Sequence, residues 1–301
     1  MRQRTIGGSF ELEGKGLHTG IYIHLKALPA SAGTGMLVRR TDLEGQPEIK
    51  LLAENVKDTV RGTVLRNEHL QVSTVEHALA AFYSAGIDNC IFEVDGPEFP
   101  ILDGSARYFS EALARVGMVE QEAEKVYLII DQELEFTLGN GSVIKAFPSD
   151  RFEVEVAIGF NSSVLPEQTA HLYNTEHFEE EFSCARTFVF VREIEPLLDM
   201  NLIRGGDLQN AIVIYDKPIT QEKMDALTQK LQQPAMDASK LGYLSGLLHF
   251  ENEPARHKLL DVIGDLALVG RPIRGRIVAK YPGHKINTEF ATYLRTHYSL
   301  N

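Results

Sequence analysis

The chain has 301 residues, 44% of them hydrophobic, with 30 Lys plus Arg against 42 Asp plus Glu and a formal net charge of −12. At about 100–200 residues per domain, this length predicts two domains, each able to bury a core. The acid excess argues against a nucleic-acid partner, which needs a basic face for phosphates, and against electrostatic docking on anionic lipid.

The longest uncharged apolar stretch, 241–250, is far below the roughly 20 residues of a membrane span. The N-terminus lacks an apolar signal core, so no stable membrane anchor is expected. Cys90 and Cys184 form no CxxC pair. They read as buried free thiols in a reducing compartment, which makes the expected location cytoplasmic.

In chain order, strands are predicted at 21–25 and 36–39 around a Pro/Ser/Gly loop at 29–35. A helix at about 74–85 ends at Gly86, and a strand follows at 90–94. Pro97 and Pro100 bracket a loop leading to a helix near 106–116. The acidic run 119–125 has no apolar periodicity and reads as a linker between domains at 1–121 and 126–301. Then come a strand at 126–130, a hairpin of 136–140 with 142–147 around Asn140-Gly141, and a strand at 152–158. Helical patterning returns at 221–231 and 255–268. Strands and helices mix in both halves without a βαβ rhythm, so the fold class is α+β. No internal repeat is visible.

Three clusters of His and acid residues could carry chemistry. Ser73, three residues before Glu76, fits a capping box, which gives Glu76 a structural reason to be there. Beside His77 at a helix N-terminus it equally suits a general base next to a metal ligand. Position 81 is Ala, so this is not the HExxH zinc motif.

In the second cluster, Pro254 suits a first helical turn, and Gly270 with Pro272 marks the end. Leu259, Val262, Ile263 and Leu266 form the apolar face. His257, Asp261 and Asp265 then share one stripe at i, i+4 and i+8. Imidazole and carboxylate one turn apart can hold two corners of a zinc tetrahedron; a solvated His–Asp face is the plainer alternative. Gly264 lies in that stripe although it costs about 1 kcal/mol of helix propensity, and so hints at a close approach by a ligand. In the third cluster Pro282-Gly283 presents His284 from a loop, which suits an acid–base residue, although a loop His is commonly an ordinary surface residue. The glycine-rich run 14–20 reads as a tight turn, and 99–106 as a turn in which Asp103 or Ser105 caps the next helix.

Taken together, these segments closely resemble the UDP-3-O-acyl-N-acetylglucosamine deacetylase family, the zinc amidases of lipid A synthesis. The matching pieces are GKGLHTG at 14–20, STVEHALAA at 73–81, GIDNCIFEV at 86–94, FPILDGSA at 99–106, ARTF at 185–188, RHKLLDVIGD at 256–265 and GH at 283–284. The resemblance implies two similar domains, each layering helices against β-sheets, with the active site at their interface. It implies Zn²⁺ held by His77, His257 and Asp261, and Glu76 as general base. Thr187 would donate to the oxyanion, His284 would be the protonated partner of the leaving amine, and Asp265 would orient His284 and raise its pKa. Lys258, Phe190 and Thr187 match positions at the substrate-binding surface.

The implied reaction removes the N-acetyl group from a UDP-sugar that carries an acyl chain. An insert at about 191–213, with Ile194, Leu197, Leu198, Met200, Leu202 and Ile203, would build an apolar passage for that chain, where core packing is the plainer reading. Some relatives continue into a fused hydroxyacyl-carrier-protein dehydratase, so a longer fusion belongs among the implications. The stretch 217–253 exceeds the family's usual link, and its role as lid, surface elaboration or channel wall is open. A metal-free His/Glu acid–base enzyme and a nucleotide-sugar-binding module are the competing readings.

Overall fold

The computed structural model describes residues 1–230 and 233–300. In the first half β1 (Phe10–Lys15), β2 (Tyr22–Pro29), β3 (Met36–Arg40) and β4 (Glu48–Lys50) precede helix α1 (Glu76–Ser84), strand β5 (Cys90–Val94) and helix α2 (Arg107–Val116). The five strands form a sheet in the order β1-β2-β5-β3-β4, parallel only between β5 and β3. Side chains of β5 alternate between buried and half-buried, as expected of a strand with one face on a core.

The second half opens with β6 (Leu134–Thr137), β7 (Val143–Phe147), β8 (Phe152–Ile158) and β9 (Gln168–Leu172). An inserted unit follows: β10 (Phe188–Phe190), helix α3 (Val191–Asp199), β11 (Ile212–Tyr215), helix α4 (Gln221–Lys230) and β12 (Gly242–Tyr243). Helix α5 (Glu253–Ala267), β13 (Ile273–Lys280) and helix α6 (His284–His297) complete the chain. The main sheet runs β6-β7-β13-β8-β9 and is parallel only between β13 and β8 on this path. The main sheet of each half is therefore two hairpins flanking a central strand that comes last of its five in the chain. That strand is directly preceded and followed by a helix, α1 and α2 in the first half, α5 and α6 in the second. The α+β class and the similarity of the halves match expectation. The repeat lies in topology and pairing sense, which a scan of residue identities does not detect.

Helices α1 and α5 pack directly on each other, and one continuous core takes in residues of both, such as Ala78, Leu79, Leu259 and Ile263. A Cβ on Gly264 would lie 2.0 Å from the Glu76 carbonyl oxygen. The close approach hinted at by Gly264 is thus made by the α1 backbone and not by a ligand.

Three other expectations are corrected. The acidic run taken for a linker lies in a strand, Met118–Glu124, paired antiparallel with Arg2–Ile6. Backbone pairing needs no apolar periodicity, so composition misleads there. No capping box forms: α1 begins without a side-chain cap, and the Ser73 hydroxyl turns to the Pro97 carbonyl (3.3 Å). Of the two thiols expected to be buried, Cys90 is buried and Cys184 is half-buried; both are free. The helix expected at 221–231 is observed as α4, with Leu231 outside the described residues.

The long 217–253 stretch is part of the inserted unit. Strand β12 pairs with β11, and Met224 of α4 joins Val191, Ile194, Val213 and Tyr215 in a separate small core. Among the described residues no helix is long and apolar enough to cross a membrane.

Candidate metal centre and acid–base site

The first turn of α1 carries Glu76 and His77, and α5 carries His257, Asp261 and Asp265; all five side chains are buried. The polar stripe of α5 is sealed because it faces α1 of the other half. His77 Nε2 stands 3.8 Å and His257 Nε2 3.4 Å from Asp261 Oδ1. The two imidazole rings meet edge to face with centroids 5.0 Å apart. One donor atom from each of His77, His257 and Asp261 lies within 4.8 Å of the others, a set able to hold a metal ion.

The Asp261 carboxylate supports that reading. Its Oδ2 accepts from Lys258 Nζ at 2.7 Å, while the buried Oδ1 has no hydrogen-bond partner among the described residues. A buried carboxylate oxygen without a donor is costly, and a cation between it and two imidazoles removes the deficit. His257 Nδ1 donates to the Ala185 carbonyl at 3.0 Å. This fixes the tautomer and turns the Nε2 lone pair toward Asp261. Two imidazole nitrogens and one carboxylate oxygen form a donor set that suits Zn²⁺ with an open position.

Burial, then the neighbouring His257, pushes His77 down to about 3, so its imidazole is neutral at neutral pH. Burial lowers His257 as well. Burial opposes ionisation of Asp261, but His257, Lys258, His284 and His77 outweigh it and hold the carboxyl well below the usual range.

His284 is the first residue of α6 and not a loop residue. Its Nε2 stands 3.8 Å from Glu76 Oε1 and 3.9 Å from Asp261 Oδ2. Its Nδ1 lies 2.9 Å from Asp265 Oδ2. Burial disfavours the imidazolium, yet Asp265, Asp261 and Glu76 together raise His284 to about 9. Burial raises Glu76 to about 7 against the lowering effect of His284.

Two residues not singled out from sequence complete this cluster. The Thr63 hydroxyl donates to Asp265 Oδ1 at 2.5 Å and its amide to Glu76 Oε2 at 3.3 Å. Asn287 donates to Asp265 Oδ2 at 2.9 Å. Asn287 is one turn beyond His284, which was a usable signal; nothing in the sequence marks Thr63.

A cleft of about 950 Å³ opens onto these groups, lined by Glu76, His77, His257, Asp261 and His284 together with Thr187, Phe188 and Lys258. A second, apolar cavity of about 690 Å³ adjoins it and shares Leu17, Arg61, Thr187 and Phe188 with it. Ile194, Leu197 and Ile203 line its wall. Phe190, expected at the substrate surface, is 1% exposed and packs in the inserted unit's core. Phe188, two residues earlier in β10, is the ring that lines both cavities.

A model of the family described as LpxC, UDP-3-O-acyl N-acetylglycosamine deacetylase, matches residues 3–229 and 231–296. The chain belongs to this family. It is 50% identical over its full length to proteins named bifunctional enzyme LpxC/FabZ from Bacteroides thetaiotaomicron and Porphyromonas gingivalis, spanning 66% and 65% of their lengths. It is also 38% identical to the UDP-3-O-acyl-N-acetylglucosamine deacetylase of Marinobacter nauticus, over 98% of this chain and 90% of that one.

Proposed function

We propose that this chain is a zinc-dependent amidase that hydrolyses the N-acetyl group of UDP-3-O-acyl-N-acetylglucosamine, releasing acetate and the free amine, an early step of lipid A biosynthesis in the cytoplasm. The observation that carries this reading is the partnerless Asp261 Oδ1 flanked by two imidazoles and set beside the Glu76–His284 pair. His77, His257 and Asp261 would hold the ion. Zinc supplies Lewis acidity there, polarising a carbonyl and making water a nucleophile at neutral pH.

Glu76, raised to about 7, takes the proton from the attacking water, since a base tuned near the working pH transfers protons best. As the acetamide C–N bond breaks, the leaving nitrogen must gain a proton. His284, protonated below about 9, donates it from Nε2 while Asp265 holds Nδ1. Thr187 lines the cleft and donates to the oxygen on which charge develops. Lys258 and Phe188 present a cation and a ring to the sugar-nucleotide side, and Lys258 offsets some of the acidity around Asp261. The adjoining apolar cavity takes the acyl chain. The division is an N-terminal domain over 1–121 supplying Glu76 and His77, and a C-terminal domain over 126–301 supplying the rest.

The test is metal analysis combined with deacetylation of substrates of graded acyl length. One zinc per chain, loss of turnover with a strong chelator and recovery on adding zinc are expected. Full turnover by a metal-free chain would overturn the amidase reading.

A further inference from the structure

Glu98 lies between the matched motifs and lines neither cavity, yet it is 0% exposed. Its Oε1 accepts from the His18 amide and the Thr74 hydroxyl, both at 2.9 Å. Its Oε2 accepts from the Thr19 amide at 2.9 Å and the Thr19 hydroxyl at 2.7 Å. Four donors converge on the two oxygens, a pattern that a carboxylate, acceptor on both, satisfies and an amide does not.

Thr74 has φ +58, a left-handed conformation that β-branched residues rarely adopt. It is held there by its hydroxyl on Glu98 and by its amide, which donates to the Thr63 carbonyl at 3.1 Å. Thr63 in turn contacts both Glu76 and Asp265. The bend at Thr74 sets the direction in which α1 starts, two residues before Glu76. A short hydrogen-bonded path thus runs from Glu98 through Thr74 and Thr63 to the base and to the Asp265–His284 pair. A Cβ on Gly16 would sit 2.3 Å from Glu98 Oε2, so the loop is cut to fit this carboxylate.

We propose that Glu98 is a positioning residue: its buried carboxylate ties the 14–20 loop to Thr74 and so fixes where the first turn of α1 presents Glu76 and His77. For its effect on turnover this rests on the amidase reading; for its effect on the metal donors it does not.

The experiment uses Glu98→Gln and Gly16→Ala in the full chain, measuring kcat, KM, zinc affinity by chelator competition and melting temperature. Both variants should lose about tenfold or more in kcat with KM within about twofold, and bind zinc about tenfold more weakly, while still melting cooperatively well above the assay temperature. Wild-type kcat and zinc affinity in both variants would overturn the proposal, as would a loss confined to KM or one that merely tracks the unfolded fraction. If the unmutated chain deacetylates nothing, the functional reading falls, and zinc affinity in the two variants still decides the role of Glu98.

Discussion

Glu76 and His284 face each other at 3.8 Å, and burial and charge move them into a matched pair: the carboxyl up to about 7 and the imidazolium up to about 9. The proposed mechanism needs Glu76 without its proton and His284 with one, so kcat/KM should rise as pH passes the Glu76 value and fall as it passes that of His284. A cation at the neighbouring donors lowers Glu76 further, which places the acidic limb at or below about 7. In His284→Ala the basic limb should vanish; its persistence would reassign the acid. Glu76→Ala should keep its metal and lose about 10²–10⁴ in kcat, read from single-turnover rates on protein of checked metal content. At this scale the sequence was most legible where i, i+4 spacing speaks, as for His257 and Asp261. Thr63 escaped notice because its contacts are to residues 13 and 202 positions away, a relation no local pattern encodes.

Among the elements, α5 shows what periodicity conveys and what it omits. Its apolar face is plain in the sequence, but amphipathicity does not say whether the polar face meets water or another domain. Here it meets α1, and the buried stripe becomes a site in place of a solvated His–Asp pair. The contact is close enough that Gly264→Ala would drive a methyl group against the Glu76 carbonyl. That substitution should destabilise the protein by about 1–3 kcal/mol or more in denaturant unfolding and depress turnover, because separating the helices separates the donors. An Ala variant as stable as the parent would mean that the helix pair is looser than described. The 217–253 stretch was undecidable from sequence since its strand, β12, is only two residues long and pairs back to β11 from more than 25 residues away. Folded, it is the third strand and covering helix of the inserted unit.

On the scale of the molecule, the charge of −12 coexists with a site that gathers Lys258, His284 and a metal-donor set, a local concentration of cationic groups that fits the anionic substrate proposed above. Two neutral histidines buried at the interface make the metal-free protein sensitive to acid. His77 is held near 3 in the fold, whereas a free histidine titrates near about 6.5. Between those values the unfolded chain binds the extra proton, so stability falls as pH drops below about 6.5. The melting temperature of chelator-treated protein should decline across that window, and a flat profile would contradict neutral His77.

The three donors sit on helices from opposite halves, which makes a bound ion a staple whose strength depends on how much metal surrounds it. Binding to the folded state alone stabilises it by about 1.4 kcal/mol for each tenfold excess of free ion over the dissociation constant. The cohesion of the two halves is therefore set partly by the chemical potential of the ion in solution. Metal supply would then govern how long the chain persists folded as well as how fast it turns over.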